Sequence, residues 1–118
     1  MKANELRIGN YFMDRGGKVL RLDFWDSPGK LAMNNVIEGT VWHPLTEDVK
    51  YAKPVPLTEE WLLRFGFVND KLEYFTIEYD NHAGYGLFYR GNLLTGIEYV
   101  HQLQNLYFAL TGTELEIK

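Results

Sequence analysis

The longest uncharged stretch of the chain, the fifteen residues from Tyr99 to Thr113, constrains the fold more than any other feature. At about 100° per residue most of its large apolar side chains, all but Phe108, fall within an arc of about 120°, which is typical of a helix that packs on a core. We therefore predict an α-helix over Tyr99–Thr111. Gly112 ends this helix, because glycine adopts the left-handed conformation of a C-cap without strain. The predicted core-facing residues are Tyr99, Val100, Leu103, Leu106, Tyr107 and Leu110.

The opposite face of this helix has amides, a histidine and an aromatic ring but no charge. An exposed helix face normally carries charge, whereas protein interfaces are depleted in Lys and Glu and enriched in aromatic residues. Three readings follow: the chain covers this face itself, a second copy or another protein covers it, or it is simply exposed. The residues predicted to bind a partner are His101, Gln104, Asn105 and Phe108.

The first half of the chain has the alternation of apolar and polar residues that predicts antiparallel strands. Glycine-containing turns, DRGG and SPGK, separate the first segments and predict hairpin connections. Residues 1–53 are therefore expected to form a β-meander of about five strands or a small SH3-like barrel. The candidate strands are Arg7–Met13, Lys18–Trp25, Lys30–Ile37, Gly39–Leu45 and Val49–Lys53.

A short helix is predicted near Glu59–Phe65. Thr58 is a suitable N-cap, and Gly66 supplies the left-handed residue after the helix. The adjacent acids Glu59 and Glu60 could serve acid–base chemistry, but their place in the first turn, facing the positive end of the helix dipole, already explains them.

Two strands joined by NHAG, Leu72–Asp80 and Tyr85–Arg90, are predicted to form a β-hairpin with an aromatic face. The next segment, Leu93–Val100, has features of both a helix start and a strand, and we favour a strand that leads directly into the last helix. The length fits one domain with two lobes. The prediction is an α+β fold, with a β-rich lobe over 1–53 and an α+β lobe over 54–118.

Three separated blocks, LRIGNYF, PLTEEWLLRFGF and YVHQLQNLYFALTG, resemble a family of small uncharacterised proteins of Bacteroides-type gut bacteria and their phages. The blocks occur in the same order at both ends and in the middle of the chain. The resemblance implies a phage or prophage context. It transfers no activity and no functional residue.

Composition disfavours several functional classes. The chain has no cysteine, so disulfides, thiolate nucleophiles and thiolate zinc ligands are excluded. Sixteen acidic residues against twelve basic ones give a net charge of −4, which disfavours binding to a phosphate backbone. No apolar run has the length of a signal peptide or a membrane span, so we expect a cytoplasmic protein without a membrane partner.

The three histidines, His43, His82 and His101, lie in different predicted elements and form no metal-binding pair at i, i+4. A metal site would require folding to bring them to acids such as Asp80 or Glu98. The NHAGYG segment lacks the spacing and the following helix of a phosphate loop. The only serine lies in the SPGK turn, which excludes a nucleophile elbow. We expect no catalytic residue, no metal and no cofactor.

The leading hypothesis is a non-enzymatic, phage-related interaction protein that binds another macromolecule or itself. The alternative is a small enzyme with a site between the two lobes that uses His43 or His82 with a nearby acid. A third reading is nucleic-acid binding through aromatic residues such as Trp25 and Trp42. The scattered basic residues disfavour this third reading.

Overall fold

The computed structural model describes residues 6–14, 16–27, 30–35, 45–48 and 52–118, and only the backbone of residues 23–27, 30–35 and 45–48. The fold is α+β, as predicted, with two antiparallel sheets and two helices. The chain divides into two compact units, Met1–Val55 and Pro56–Lys118. None of the helices in the described part of the chain is long and apolar enough to span a membrane.

The first unit contains a four-stranded meander with the strand order β1-β2-β3-β4. The strands are β1 (Tyr11–Met13), β2 (Val19–Ser27), β3 (Lys30–Asn35) and β4 (Leu45–Asp48). Its core in the described residues consists of Leu6, Phe12, Leu20, Leu22 and Ala52. The period of two in β2 places Leu20 and Leu22 on the buried face, as the alternation predicts.

The described strands form an open meander and not a closed barrel. β1 and β4 lie at opposite ends of the strand order. Lys53 adds a bridge to β1 through two backbone hydrogen bonds with Met13, both 2.8 Å. Asn10 and Asp14 bond instead to the β2 side, so Lys53 lies on the other edge of β1. Most of the strand predicted at Gly39–Leu45, and residues 49–51 of the next one, lie outside the described residues.

The first predicted strand is shorter than expected because RIGN is a turn. Gly9 has a φ of 98°, and the Asn10 side chain accepts the Arg7 N–H at 2.6 Å. Asn10 is fully buried, so this hydrogen bond supplies the partner that a buried amide requires. The DRGG connection is confirmed as a turn: Asp14 accepts the Lys18 N–H, and Gly17 has a positive φ.

The second unit contains a four-stranded sheet with the order β5-β6-β7-β8. The strands are β5 (Lys71–Leu72), β6 (Phe75–Asp80), β7 (Gly84–Tyr89) and β8 (Asn92–Ile97). The predicted strand Leu72–Asp80 is interrupted by a tight turn at Glu73 and Tyr74, where Glu73 has a φ of 54°. Such turns usually contain Gly or Asn, and the absence of both is why the sequence did not reveal it.

One face of this sheet forms the core of the second unit. Phe75, Ile77, Leu87 and Ile97 are all buried. The register pairs Phe75 with Tyr89 and Ile77 with Leu87, which confirms the predicted hairpin and its aromatic face. The Phe75 ring lies 5.1 Å from the Tyr107 ring of the last helix, so this helix packs across the sheet.

The short helix α1 (Glu59–Arg64) starts and ends where its capping residues predict. Thr58 accepts the Trp61 N–H at 3.4 Å. After the helix, Gly66 has a φ of 97°, and the N–H groups of Gly66 and Phe67 bond to the carbonyls of Leu63 and Leu62. This pair of bonds is a Schellman motif, the C-cap that a glycine after the last turn indicates.

The last helix, α2 (Val100–Thr111), directly follows β8, which confirms the strand-to-helix prediction for Leu93–Val100. Gln102 Oε1 accepts the N–H groups of Glu98 and Tyr99 and satisfies two donors at the helix start. Gly112 ends the helix with a φ of 74°, and its N–H bonds to the Phe108 carbonyl at 2.8 Å.

Candidate functional site

The uncharged face of α2 is buried in part. His101 and Gln104 are buried, whereas Leu110, predicted to face the core, is 42% exposed. The buried residues of the helix are Val100, His101, Leu103, Gln104 and Tyr107. Of the three alternatives for this face, burial within the protein therefore applies at His101 and Gln104. Hydrophobicity alone assigned the faces, and it misplaces a polar residue that finds a hydrogen-bond partner inside the protein.

The C-terminal segment Thr113–Lys118 supplies that partner. Gln104 Nε2 donates to the Leu115 carbonyl at 3.1 Å, and the Leu115 side chain is almost fully buried. Further along, the Lys118 N–H donates to the Arg64 carbonyl at 2.8 Å. The segment thus returns from the end of α2 to the end of α1. Of the three alternatives for the uncharged face, the first therefore holds at Gln104, which the protein's own chain covers.

Two of the four predicted partner-binding residues keep accessible surface. Asn105 is half-buried and Phe108 is 38% exposed. A partner could contact these two side chains but not the fully buried Gln104. Partner binding by Asn105 and Phe108 stays a prediction.

Of the two histidines of the enzyme hypothesis, His43 and His82, the structure describes only His82. His82 is exposed in the β6–β7 turn, and its backbone N–H donates to Asp80. His101 is buried in α2, with its ring stacked 5.9 Å from the Tyr99 ring. His43 lies outside the described residues. No group of three His, Asp or Glu side chains suited to a metal ion occurs among the residues that are described.

The acids singled out in the sequence serve different contacts. Asp80 Oδ1 accepts the N–H groups of His82 and Ala83, at 2.7 and 3.2 Å, and so caps the β6–β7 turn. Glu60 forms an ion pair of 2.6 Å with Arg64, one helical turn away. Glu59, its neighbour, instead lines a small cavity. The adjacent carboxylates of α1 therefore do not act as a pair.

The outer face of the second sheet has a shallow groove of about 310 Å³ with glycines in its floor. Gly86 and Gly96 are directly paired across β7 and β8. A Cβ placed on Gly86 would lie 3.5 Å from Leu93 Cδ1 and 3.6 Å from Phe88 Cε2. The side chains of Leu93 and Phe88 lie close to the backbone of Gly86, which has no side chain of its own to cover it. This arrangement explains the groove as a structural feature of the sheet.

Strand β8 is the edge of this sheet, and its surface is apolar. It carries no charge and no proline from Asn92 to Ile97, while Leu93 is 63% and Leu94 is 41% exposed. A bulge leaves Leu94 without a partner in β7. Edge strands are usually protected by charged residues, prolines or bulges, and β8 has only the bulge. Within the described residues β7 is the only strand paired with β8, and just past the strand end the Leu57 N–H donates to the Glu98 carbonyl at 2.9 Å.

Charged residues of opposite sign flank this strand. Arg90, in the two-residue turn before it, has its guanidinium carbon 4.4 Å from the centre of the Tyr74 ring. Glu98 follows the strand and is exposed. The turn has positive φ at Arg90 and Gly91, 50° and 85°, which is the type I′ geometry of tight hairpins. The uncharged strand therefore has a basic beginning and an acidic end.

A second cavity, of about 170 Å³, opens beside the hairpin formed by β6 and β7. Its lining residues are Glu59, Asp70, Ile77, Tyr79 and Tyr85. Tyr79 and Tyr85 are directly paired across the strands, with ring centres 4.9 Å apart and ring planes inclined by 54°. Burial raises the pKa of Tyr85 above its usual value, and the charges of Glu59 and Asp70 add to the rise. The cavity is thus both aromatic and negative.

The sequence predicts a strand at β8 but indicates neither its position at the edge of the sheet nor this cavity. The edge position depends on the strand order, and the five residues of the cavity come from a helix, a turn and two strands. No family model, no curated protein and no solved structure matches the chain.

Proposed function

We propose that this protein is a non-enzymatic interaction protein, that β8 of the second unit is its contact strand, and that its partner is a second copy of the same chain. The observation that carries the proposal is the uncharged, leucine-bearing edge of the sheet. An edge strand presents unpaired N–H and C=O groups, which a strand from another molecule satisfies.

Charge favours a second copy in antiparallel orientation. A two-fold axis near Leu94 would bring the Arg90 end of each strand to the Glu98 end of its partner. A parallel arrangement would bring like charges together. Between these ends β8 carries no charge that opposes self-pairing. Association also covers Leu93 and Leu94, and burial of a leucine side chain contributes about 1.5 to 3 kcal/mol.

The experiment is sedimentation equilibrium from about 1 μM to about 1 mM, the range in which weak complexes dissociate. The wild-type protein is expected to dimerise, and Leu93→Lys with Leu94→Lys is expected to remain monomeric. The matched control is Leu63→Lys with Leu110→Lys, since these leucines are 65% and 42% exposed on the helices. The control should dimerise like the wild type.

A charge exchange tests the orientation. Arg90→Glu or Glu98→Arg alone should weaken the dimer, because each places like charges at the strand ends. The double variant should recover most of the loss. A protein that is monomeric throughout this range contradicts the proposal, as does a dimer unaffected by the β8 lysines. If only a substitution of Phe108 abolished the dimer, the contact would lie on α2, and this result would also contradict the proposal.

The proposed setting is the cytoplasm of a bacterial host, in a phage or prophage context. Its support is the composition without cysteine and the resemblance of the three sequence blocks. Nucleic-acid binding is not proposed, because the second unit has nine acidic residues against four basic ones.

A further inference from the structure

The cavity beside the β6–β7 hairpin has the properties of a binding site for an organic cation. Two tyrosine rings form one wall, and the buried Ile77 contributes apolar surface. The carboxylates of Glu59 and Asp70 also line it, and no basic residue does. Neither carboxylate forms an ion pair within the described part of the chain. The cavity therefore combines aromatic faces and negative charge.

The residues that line the cavity are held in place by the backbone. Tyr79 and Tyr85 occupy opposite positions in the β6–β7 ladder. The Asp70 carbonyl accepts the Ile77 N–H at 2.9 Å, which fixes the turn that carries Asp70 against β6. Glu59 is the first residue of α1. Little ordering of the backbone would accompany binding, and such pre-formed sites lose less affinity to conformational entropy.

We propose that this cavity binds an alkylammonium group. Tyrosine faces attract such cations through the ring quadrupole, and the carboxylates add direct charge attraction. A divalent metal ion fits less well, since Ca²⁺ takes six to eight oxygen ligands and Mg²⁺ six in a near-ideal octahedron.

The size of the cavity sets the size of the ligand. Its 170 Å³ is close to the volume of about 150 Å³ that accommodates one benzene molecule. Pockets for drug-sized ligands are larger, about 300 Å³ or more. The cavity therefore takes a single head group, either of a small molecule or of a lysine side chain in another polypeptide. Tyr79 is 63% exposed, which leaves the entrance accessible.

The test is NMR titration of the whole chain, residues 1–118, with choline and with dimethylbutanol, the neutral carbon isostere of choline. Choline should shift the ring signals of Tyr79 and Tyr85 and the amide signal of Ile77, with a dissociation constant on the order of millimolar. The neutral isostere should bind at least about tenfold more weakly if charge provides the recognition. Equal binding of both compounds would overturn the proposal.

Two lysine derivatives distinguish the sources of the ammonium group. Acetyl-lysine methylamide with a free or trimethylated side-chain amine represents a polypeptide, and the same compound acetylated at that amine is the neutral control. Binding of the charged derivatives assigns the site to a lysine side chain, and binding of choline alone assigns it to a small molecule. Both results support the alkylammonium site. Failure of choline and of every charged derivative to bind refutes it.

Variants separate the contributions of the rings and of the charges. Tyr79→Leu should weaken choline binding by about fivefold, whereas Tyr79→Phe, which retains the ring, should bind within about twofold of wild type. Glu59→Gln and Asp70→Asn should each weaken binding by about threefold or more. Glu60→Gln is the matched control, because Glu60 is adjacent but does not line the cavity. The assignment would be contradicted if Glu59→Gln and Glu60→Gln weakened choline binding equally, or if Tyr79→Leu did not weaken it. No β8 residue lines this cavity, so its test is separate from that of dimerisation.

Discussion

Replacement of Leu115 by alanine tests whether the C-terminal segment covers α2. The Leu115 side chain is 1% exposed, and its carbonyl accepts the hydrogen bond from Gln104. Truncation of a fully buried leucine to alanine costs about 2 to 5 kcal/mol, from lost transfer energy and the remaining cavity. The substitution leaves the Leu115 carbonyl and its hydrogen bond from Gln104 in place, so we expect a loss in the lower half of this range, about 2 to 3 kcal/mol.

The assay is equilibrium urea denaturation, followed by circular dichroism. The transition midpoint should fall while the m-value stays constant, which is the signature of an altered native state. Glu116→Ala is the control, because Glu116 is exposed and its substitution should change stability by no more than about 0.5 kcal/mol. A loss below about 1 kcal/mol for Leu115→Ala would refute coverage of this helix face by the segment.

Three further substitutions test single contacts in the second unit. Gln104→Leu should cost about 1 to 3 kcal/mol by urea denaturation, because it leaves the Leu115 carbonyl without a donor, and an unchanged midpoint would disprove the hydrogen bond. The pKa of Tyr107 is raised above its usual value, first by burial and then by the charge and hydrogen bond of Glu73. The neutral Tyr107 side chain therefore stabilises the folded protein fully below about pH 10, and this stabilisation is lost as the pH rises further. Tyr107→Phe should accordingly lose less stability than wild type between pH 9 and about 12, and equal alkaline losses would contradict this. Asp80→Ala should cost about 0.5 to 2 kcal/mol by removing the acceptor of the β6–β7 turn, whereas Asp80→Asn, which keeps an acceptor, should cost less; equal costs would exclude the capping role.

Elements with local signals were predictable from the sequence. Thr58, Gly66 and Gly112 define the ends of both helices, since capping depends on a few neighbouring residues. The alternation in β2 and in the β6–β7 hairpin likewise identified their faces. The turn at Glu73 had no such signal, because glutamate rarely takes a positive φ and nothing nearby indicated that it would.

The faces of α2 were not predictable because they depend on a distant segment. The sequence leaves burial, a partner and exposure open for the face that carries His101 and Gln104, and both residues are buried. The segment from Thr113 to Lys118 forms no helix or strand, and a short segment of this kind carries no local signal for where it packs. Only the tertiary structure shows that Leu115 packs in the core and accepts the Gln104 hydrogen bond.

The edge position of β8, like the faces of α2, was not predictable from the sequence. The sequence identified β8 as a strand but could not show that it lies at the edge of its sheet. Edge position follows from the strand order β5-β6-β7-β8, which results from three hairpins, at Glu73, at NHAG and at Arg90. Only the hairpin at NHAG was anticipated. The uncharged character of β8 became informative once its position was known.

Hydrogen–deuterium exchange at two protein concentrations tests the contact strand most directly. At about 1 μM the protein is expected to be monomeric, and at about 1 mM the proposed dimer should form. The outward-facing amides of Asn92–Ile97 should then exchange more slowly at the higher concentration, because a second strand pairs with them. The amides of β7, which lies between β6 and β8, should not change. Identical exchange of the β8 amides at both concentrations would contradict self-association through this strand.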